Sequence, residues 1–268
     1  MISFPNAKIN LGLKILRKRE DGYHDIHSLM LPVGWHDALE LNKTNRLGLE
    51  FRQYGIELGS GKNIVATCYE LFQERFGIGG VQVSLVKGVP PGAGLGGGSA
   101  DAAFMAQALN QLFELGLSDG SLEDIVSEIG SDCPFFIKNS PALVEGRGEV
   151  IKPLEIDLSG LYVVVVNPGI HISTPEAYGN CFISGELLNV ELLQRSQIQR
   201  WQEEISNDFE PYAFEAYPEI ANIKAKLQEQ GALYAAMSGS GSSVFGIFEN
   251  QVPHITWPGH FQSWSGRL

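Results

Sequence analysis

The sequence predicts a mixed fold of strands and helices, built as two modest lobes or one large one, and three stretches carry that prediction. In AKINLGLKIL, near the N-terminus, Ile9, Leu11, Leu13 and Ile15 alternate with Lys8, Asn10, Gly12 and Lys14, the two-residue period of a half-buried strand. In the middle of the chain the segment PPGAGLGGG runs straight into SADAAFMAQALNQLFEL, which is rich in strong helix formers. In the second half the apolar runs LYVVVV, LYAAM and SVFGIF stand on either side of a helical stretch, PEIANIKAKLQEQG. At 268 residues, 44% hydrophobic and 19% charged, the chain can bury a proper core in either arrangement.

Each element has a local reason. Alternation puts Lys8 and Asn10 on one side of the first strand. A second strand-like run, His27 to Val33, follows RKREDGYH, where Asp21-Gly22 supplies turn chemistry, so the two form a hairpin with a longish loop. ALELN and LGLEFR read as strands, NIVATCYELFQERFG as a helix stopped by Gly77, and VQVSLVK as a strand that enters the glycine segment. The alanine-rich helix ends at Gly116. SLEDIVSEIG has a Ser121/Asp124 capping-box pattern and closes at Gly130, and SDCPFFIK then restarts in extended form, which puts Asp132 at a helix-to-strand junction. Composition changes little around VIKPLEIDLSG, and a lobe boundary is placed near Ile151. Gly231 ends the helix PEIANIKAKLQEQG, and SGSGS, pinned between two apolar runs, reads as a tight, ordered turn.

Charge and cysteine usage narrow the function. A net charge of -12 argues against nucleic acid or an anionic membrane as partner, since such surfaces are held by clustered Lys and Arg. The basic run Lys14, Arg17, Lys18 and Arg19 is short and of the kind usually solvated. Cys68, Cys133 and Cys181 are widely spaced and odd in number, which fits neither a disulfide framework nor a zinc site and suits a reducing cytoplasm. No signal-peptide pattern and no membrane-length apolar run is present, so a cytoplasmic location is expected.

Six glycines fall between Gly88 and Gly98. Glycine carries an entropic cost on folding, so such a cluster implies that something approaches the main chain closely. Successive N–H groups in a glycine loop, joined to the unpaired N–H groups that open a helix, form a concavity of positive partial charge that suits phosphate. GAGLGG, Gly92 to Gly97, matches G-x-G-x-x-G with Asp119 about 20 residues on, but the chain runs from helix to helix there and leaves no room for the strand that a dinucleotide fold requires. A Walker A loop is excluded because Gly98-Ser99 follows Gly97 where Lys-Ser/Thr is needed. Phosphoryl transfer also needs a group to orient the acceptor and a group to hold charge; Asp132, flanked by Cys133-Pro134-Phe135-Phe136, and Lys8 are the candidates.

Taken together, AKINLGL, DGYH, PPGAGLGGGSADAA and GSDCPFF resemble the GHMP kinase superfamily, and NPGIHISTPEAY, NDFE and MSGSGSS resemble its C-terminal motifs in the same order. The hairpin motif with Tyr23-His24 narrows the resemblance to the branch whose acceptor is a cytidine diphosphate of methylerythritol, in the non-mevalonate route to isoprenoids. The resemblance implies an α+β, two-lobed fold, with an N-terminal lobe of the ribosomal-protein-S5 domain-2 type over residues 1–150, a ferredoxin-like lobe over 151–268, and the active site in the cleft between them. It implies ATP and Mg²⁺, with the phosphates over Pro90, Gly92, Ala93, Gly94, Leu95, Gly96, Gly97, Gly98 and Ser99, and the adenine near Asn63 and Lys87.

By the same resemblance Tyr23 stacks on the cytosine, His24 bonds its edge, Asn10 and Thr174 orient the acceptor, Asp132 takes the proton of the tertiary hydroxyl and Lys8 holds Asp132 and the developing charge. Ser99 is a candidate magnesium ligand, with phosphate and water supplying the rest. The expected assembly is a monomer or weak homodimer acting on a small molecule. Ala100 departs from the Ser-Ser-Asp of many relatives, and Ser131 and Cys133 stand where Ala and Val are common; none of these removes a charged group. The alternatives are another GHMP kinase, such as a homoserine or mevalonate kinase, and a nucleotide-binding homologue without catalysis.

Overall fold

A computed structural model describes residues 1–57, 63–251 and 255–268. Twelve strands and eight α-helices occur among them. In chain order they are β1 (Ile2–Ser3), β2 (Asn6–Lys18), β3 (His24–His36), β4 (Ala38–Lys43), β5 (Leu49–Gly55), α1 (Ile64–Phe76), β6 (Val81–Lys87), α2 (Gly97–Leu112), α3 (Asp119–Ser127) and α4 (Phe135–Lys138). There follow β7 (Ala142–Gly146), β8 (Val150–Pro153), β9 (Tyr162–Asn167), α5 (Thr174–Asn180), α6 (Ile198–Glu204), α7 (Glu210–Ala216), α8 (Pro218–Glu229), β10 (Tyr234–Met237), β11 (Val244–Phe248) and β12 (Gln262–Arg267).

The chain forms two compact units whose segments interleave: Met1–Ala7, Trp35–Pro91 and Gly96–Ser140 make the first, and Lys8–Gly34, Gly92–Leu95 and Pro141–Leu268 the second. The units thus do not divide at a single point near Ile151, because most of the N-terminal hairpin goes with the C-terminal half and the glycine segment itself crosses from one unit to the other and back.

The first unit holds a four-stranded sheet in the order β1-β4-β6-β5, antiparallel except for β5 and β6. Alternation in β4 and β6 turns Leu39, Leu41, Val81, Val83 and Leu85 inward. Val65, Cys68 and Phe72 of α1 and Ala102, Met105 and Leu109 of α2 supply the rest of that core. Asn63 caps α1 through Val65 N–H, and Gly77, at φ 61°, closes it in the left-handed conformation that glycine adopts without a Cβ penalty.

The second unit has two four-stranded sheets, β2-β3-β7-β8 and β10-β11-β9-β12. The hairpin turn expected at Asp21-Gly22 is present: Arg19 N–H donates to the Tyr23 carbonyl and Gly22, at φ 85°, donates back to Arg19. The SGSGS segment is the tight turn expected between β10 and β11, closed by Ser238 N–H donating to the Ser243 carbonyl. Basic residues of the 14–19 run meet carboxylates here: Lys14 faces Asp208, Arg17 faces Asp25, and Arg19 faces Asp21 and Asp25.

Two local expectations are corrected. Ser118, and not Ser121, caps α3, because its hydroxyl accepts the Ser121 N–H and so starts the helix three residues earlier. SDCPFFIK is helical and not extended: Pro134 sits at φ -59° and ψ -32°, the geometry in which proline opens a helix, and α4 follows. Asp132 therefore lies in the turn between two helices, where the Gly130 carbonyl accepts the Cys133 N–H.

Candidate active site

In the second unit Lys8, at 3% exposure, and Asn10, at 1%, lie on β2. The shared side that alternation gives them is realised as a hydrogen bond of 2.6 Å from Lys8 Nζ to Asn10 Oδ1. Asn10 Nδ2 donates to Ser28 Oγ at 2.9 Å, and Ser28 Oγ donates to the Gly12 carbonyl at 2.6 Å. Buried polar groups of this kind are costly unless each finds a partner, and these form a continuous chain that fixes the ammonium direction. Of the glycine segment, this unit holds Gly92 to Leu95. The Leu95 carbonyl accepts Lys8 N–H at 2.9 Å, and Ser238 Oγ donates to the Gly94 carbonyl at 2.9 Å. Gly94 sits at φ 76°, and a Cβ there would fall on the Ser238 carbonyl oxygen, so only glycine fits.

Tyr23 is exposed, with the Arg147 guanidinium 4.9 Å from its ring centroid. His24 is buried, and its ring stacks on Tyr178 at 4.9 Å. Burial, aided by the Lys18 charge, holds the His24 imidazole below its ordinary pKa of 6.5. It is therefore neutral near pH 7 and offers one donor and one acceptor. Thr174 opens α5 just after the cap Ser173 and is exposed. Tyr178 lies one turn further along α5 and was not anticipated; its signal is the aromatic residue four positions after Thr174 in STPEAY, which helical geometry puts on the same face.

In the first unit, the glycine segment contributes Pro90 at one end and Gly96 to Ser99 at the other. Gly96, at φ 68°, is the N-cap of α2 and has no side chain to satisfy the opening N–H groups. Those groups stay available to an anion. Gly98 lies close to Ile64 at the start of α1, and Ser99 lies near Gly130 and Cys133. The turn that carries Asp132 is thus packed beside the opening of α2. Cys133, Pro134, Phe135 and Phe136 are buried and Asp132 is half-buried, as the flanking residues suggest. Burial pushes the Cys133 thiol up to about 12, which leaves it inert.

Asn63 Oδ1 is engaged by Val65 N–H, so its amide NH₂ is the group it has to offer a ligand. The Lys87 ammonium is bonded to Asp37 and, at 2.7 Å, to Asp101. Any contact of Lys87 with a base would run through its main chain or its aliphatic stem. Lys8 belongs to one unit and Asp132 to the other.

Among the described residues there is no group of three or more His, Cys, Asp or Glu side chains able to cage a metal ion. A magnesium ion that takes most of its ligands from phosphate and water fits such a site, with the half-buried Ser99 hydroxyl as a compatible donor in the first turn of α2. No helix among the described residues is long and apolar enough to cross a membrane.

Comparison with known proteins identifies the family. The chain matches the GHMP kinases N terminal domain over residues 63–140 and the GHMP kinases C terminal domain over residues 189–254. It is 41% identical over 274 aligned positions to the 4-diphosphocytidyl-2-C-methyl-D-erythritol kinase of Bacteroides thetaiotaomicron, with all of each chain covered. A crystal structure of 4-(cytidine 5'-diphospho)-2C-methyl-D-erythritol kinase superposes with a TM-score of 0.84 at 32% identity, covering 99% of this chain and 98% of that one. A homoserine kinase from Cytophaga hutchinsonii shares the fold, with a TM-score of 0.65 over 92% of this chain and 85% of its own, at only 19% identity. The α+β fold with two GHMP domains stands as expected, and end-to-end similarity far above that of the fold alone decides the branch: the chain belongs to the 4-diphosphocytidyl-2-C-methyl-D-erythritol kinase family.

Proposed function

We propose that this protein transfers the γ-phosphoryl group of ATP to the tertiary 2-hydroxyl of 4-(cytidine 5'-diphospho)-2-C-methyl-D-erythritol. The observation that carries the reading is the buried Lys8 ammonium fixed on Asn10, on the first long strand of a chain with full-length similarity to this family. The ATP phosphates lie against main-chain N–H groups of the segment from Pro90 to Ser99, where glycine leaves the backbone bare. Asn63 offers its amide NH₂ to the adenine, with Lys87 lying alongside.

Asp132 accepts the proton of the 2-hydroxyl. Removing that proton fully would be uphill for a carboxylate. In a loose transition state most of the bond to the leaving oxygen breaks first, so the hydroxyl loses its proton late and the demand on the base is small. Lys8 holds positive charge at the reacting oxygens, with its direction set by Asn10. Magnesium, when bound, neutralises β- and γ-phosphate charge.

Tyr23 stacks on the cytosine, and the neutral His24 bonds the base edge with its donor and its acceptor. Tyr178 backs the His24 ring and so sets its plane. Thr174 and Asn10 meet the acceptor. The working state is a cytoplasmic monomer or weak homodimer.

ADP release by the purified protein, assayed with the cytidyl substrate beside homoserine and mevalonate, tests the proposal. Turnover with the first and background with the others is expected. Preference for either of the others, or no turnover with any, would refute it.

A further inference from the structure

The Lys87 ammonium, held between two carboxyl groups, is not explained by adenine binding. Lys87, Asp37 and Asp101 have side chains 1%, 0% and 2% exposed. Burying three ionisable groups costs several kcal/mol per ion, and apolar residues of similar volume would often serve stability as well. What the cluster does is therefore best read from what each member holds.

Asp37 Oδ1 accepts the N–H of Gly88 at 2.6 Å and of Val89 at 2.8 Å. The Gly88 carbonyl accepts the Trp35 indole N–H at 2.8 Å, so both sides of that peptide are pinned where β6 ends and the glycine segment begins. Asp101 stands in the second turn of α2, where that segment ends, and reaches the same ammonium. Gly97 makes the closure tight: a Cβ there would lie 2.9 Å from Val89 Cγ1 and 3.5 Å from Lys87 Nζ. One buried cation thus ties the entry of the loop to the helix that leaves it.

We propose that Asp37 and Asp101 are positioning residues for the nucleotide loop: clamped on the Lys87 ammonium, they hold Gly88, Val89 and the opening turns of α2 in the arrangement that takes phosphate. The inference rests on the reading above that these main-chain amides receive the phosphates of ATP. A glycine-rich segment has much conformational freedom to lose, and donors aimed at an anion act best when they need no reorganisation on binding. A clamp at both ends removes that freedom before the ligand arrives. Its charge is compatible with the task. Burial raises the Asp101 carboxyl to about 7, against the pull of Lys87 and with the Asp37 charge adding to it, so near neutral pH a proton offsets much of the excess negative charge beside the phosphates.

Calorimetric titration of the full chain with a non-hydrolysable ATP analogue and, separately, with the cytidyl substrate tests the clamp. Asp101→Leu, which keeps the volume and removes the bond to Lys87, and Asp37→Asn should each weaken the analogue by ~10-fold or more, the scale of one or two charged hydrogen bonds, with the cytidyl substrate unchanged within about twofold. Asp101→Asn retains an acceptor for the ammonium and should recover most of the affinity lost in Asp101→Leu. If Asp37→Asn fails to fold, the Asp101 pair decides.

Wild-type affinity for the analogue in Asp101→Leu would overturn the clamp, as would equal loss of both ligands or an Asp101→Asn variant as damaged as the leucine. Failure of the wild-type chain to bind the analogue at all would instead overturn the phosphate-loop reading, and the clamp with it.

Discussion

Two lysines are buried among the described residues, and each bonds side chains of its own unit. In the second unit, the Lys8 ammonium donates to the amide oxygen of Asn10, which helps to orient it. In the first unit, Lys87 meets two carboxyls, which orient and neutralise it together. Lys87, tied to two carboxyls, is part of the frame of its unit, whereas Lys8 lies on β2 beside Asn10, which the proposed function sets against the acceptor. The contrast separates a lysine of the chemistry from a lysine of the scaffold, although both look alike by burial.

The sharpest way to break that division is to remove each ammonium in turn. Lys8→Met should lower kcat by ~10²–10³-fold in the folded protein, the weight of a preorganised charge at the reacting oxygens. Lys87→Met should act first on stability, besides weakening ATP as the clamp requires: two buried carboxyls lose their shared cation, at a cost of about 3–5 kcal/mol, and the melting temperature falls by roughly 10 °C. Steady-state kinetics and thermal melts on the same preparations check both. If Lys8→Met also melts early, with activity lost in proportion to unfolding, the two lysines belong to one class.

A smaller effect is expected at Asp132, which sits half-buried in the turn before α4. Asp132→Asn should lower kcat by ~10²-fold or more, the usual weight of a positioned base, with affinity for the ATP analogue kept. Undiminished turnover would remove Asp132 from the role of base and leave Lys8 as the main contributor to the chemistry.

The two lysines also show how far the sequence can be read. Period two in VQVSLVK puts Lys87 on the same face as Val81, Val83 and Leu85, and that face is buried. A lysine on an apolar face signals a buried cation, and so a buried acid somewhere. Which acid is a different matter. Asp37 is 50 positions away, in the single residue between β3 and β4, and only pairing of β4 with β6 brings it to the ammonium. Lys8 and Asn10 were legible together because they are two residues apart on one strand.

The strands, the glycine stop of α1 and the tight SGSGS turn were also legible, because each is decided by neighbours along the chain. Ser118 won over Ser121 as the cap of α3 because both have the right chemistry and only geometry chooses between them. SDCPFFIK looked extended because proline restricts the residue before it, yet proline itself opens α4 without strain. Interleaving of segments between the two units is likewise a property of the folded chain, with no composition change to mark it.

The smallest effect concerns recognition rather than chemistry, and it extends the comparison to a third group whose burial sets its charge. His24 is kept neutral by its apolar surroundings and by Lys18, with its pKa below 6.5. Protonation would convert the ring from one donor and one acceptor to two donors, and so remove the acceptor that the cytosine amino group requires. The sign follows: KM for the cytidyl substrate should stay flat from pH 8 down to 6.5 and rise only below that, while KM for ATP follows no such curve. His24→Ala should raise KM for the cytidyl substrate by roughly 10-fold at pH 7.5, the loss of about one good hydrogen bond in a desolvated site, and should abolish the acid rise. Kinetics with each substrate varied at several pH values would show both. An acid rise that survives in the alanine variant would assign it to another group, and equal damage to both KM values would move His24 out of the cytidyl site.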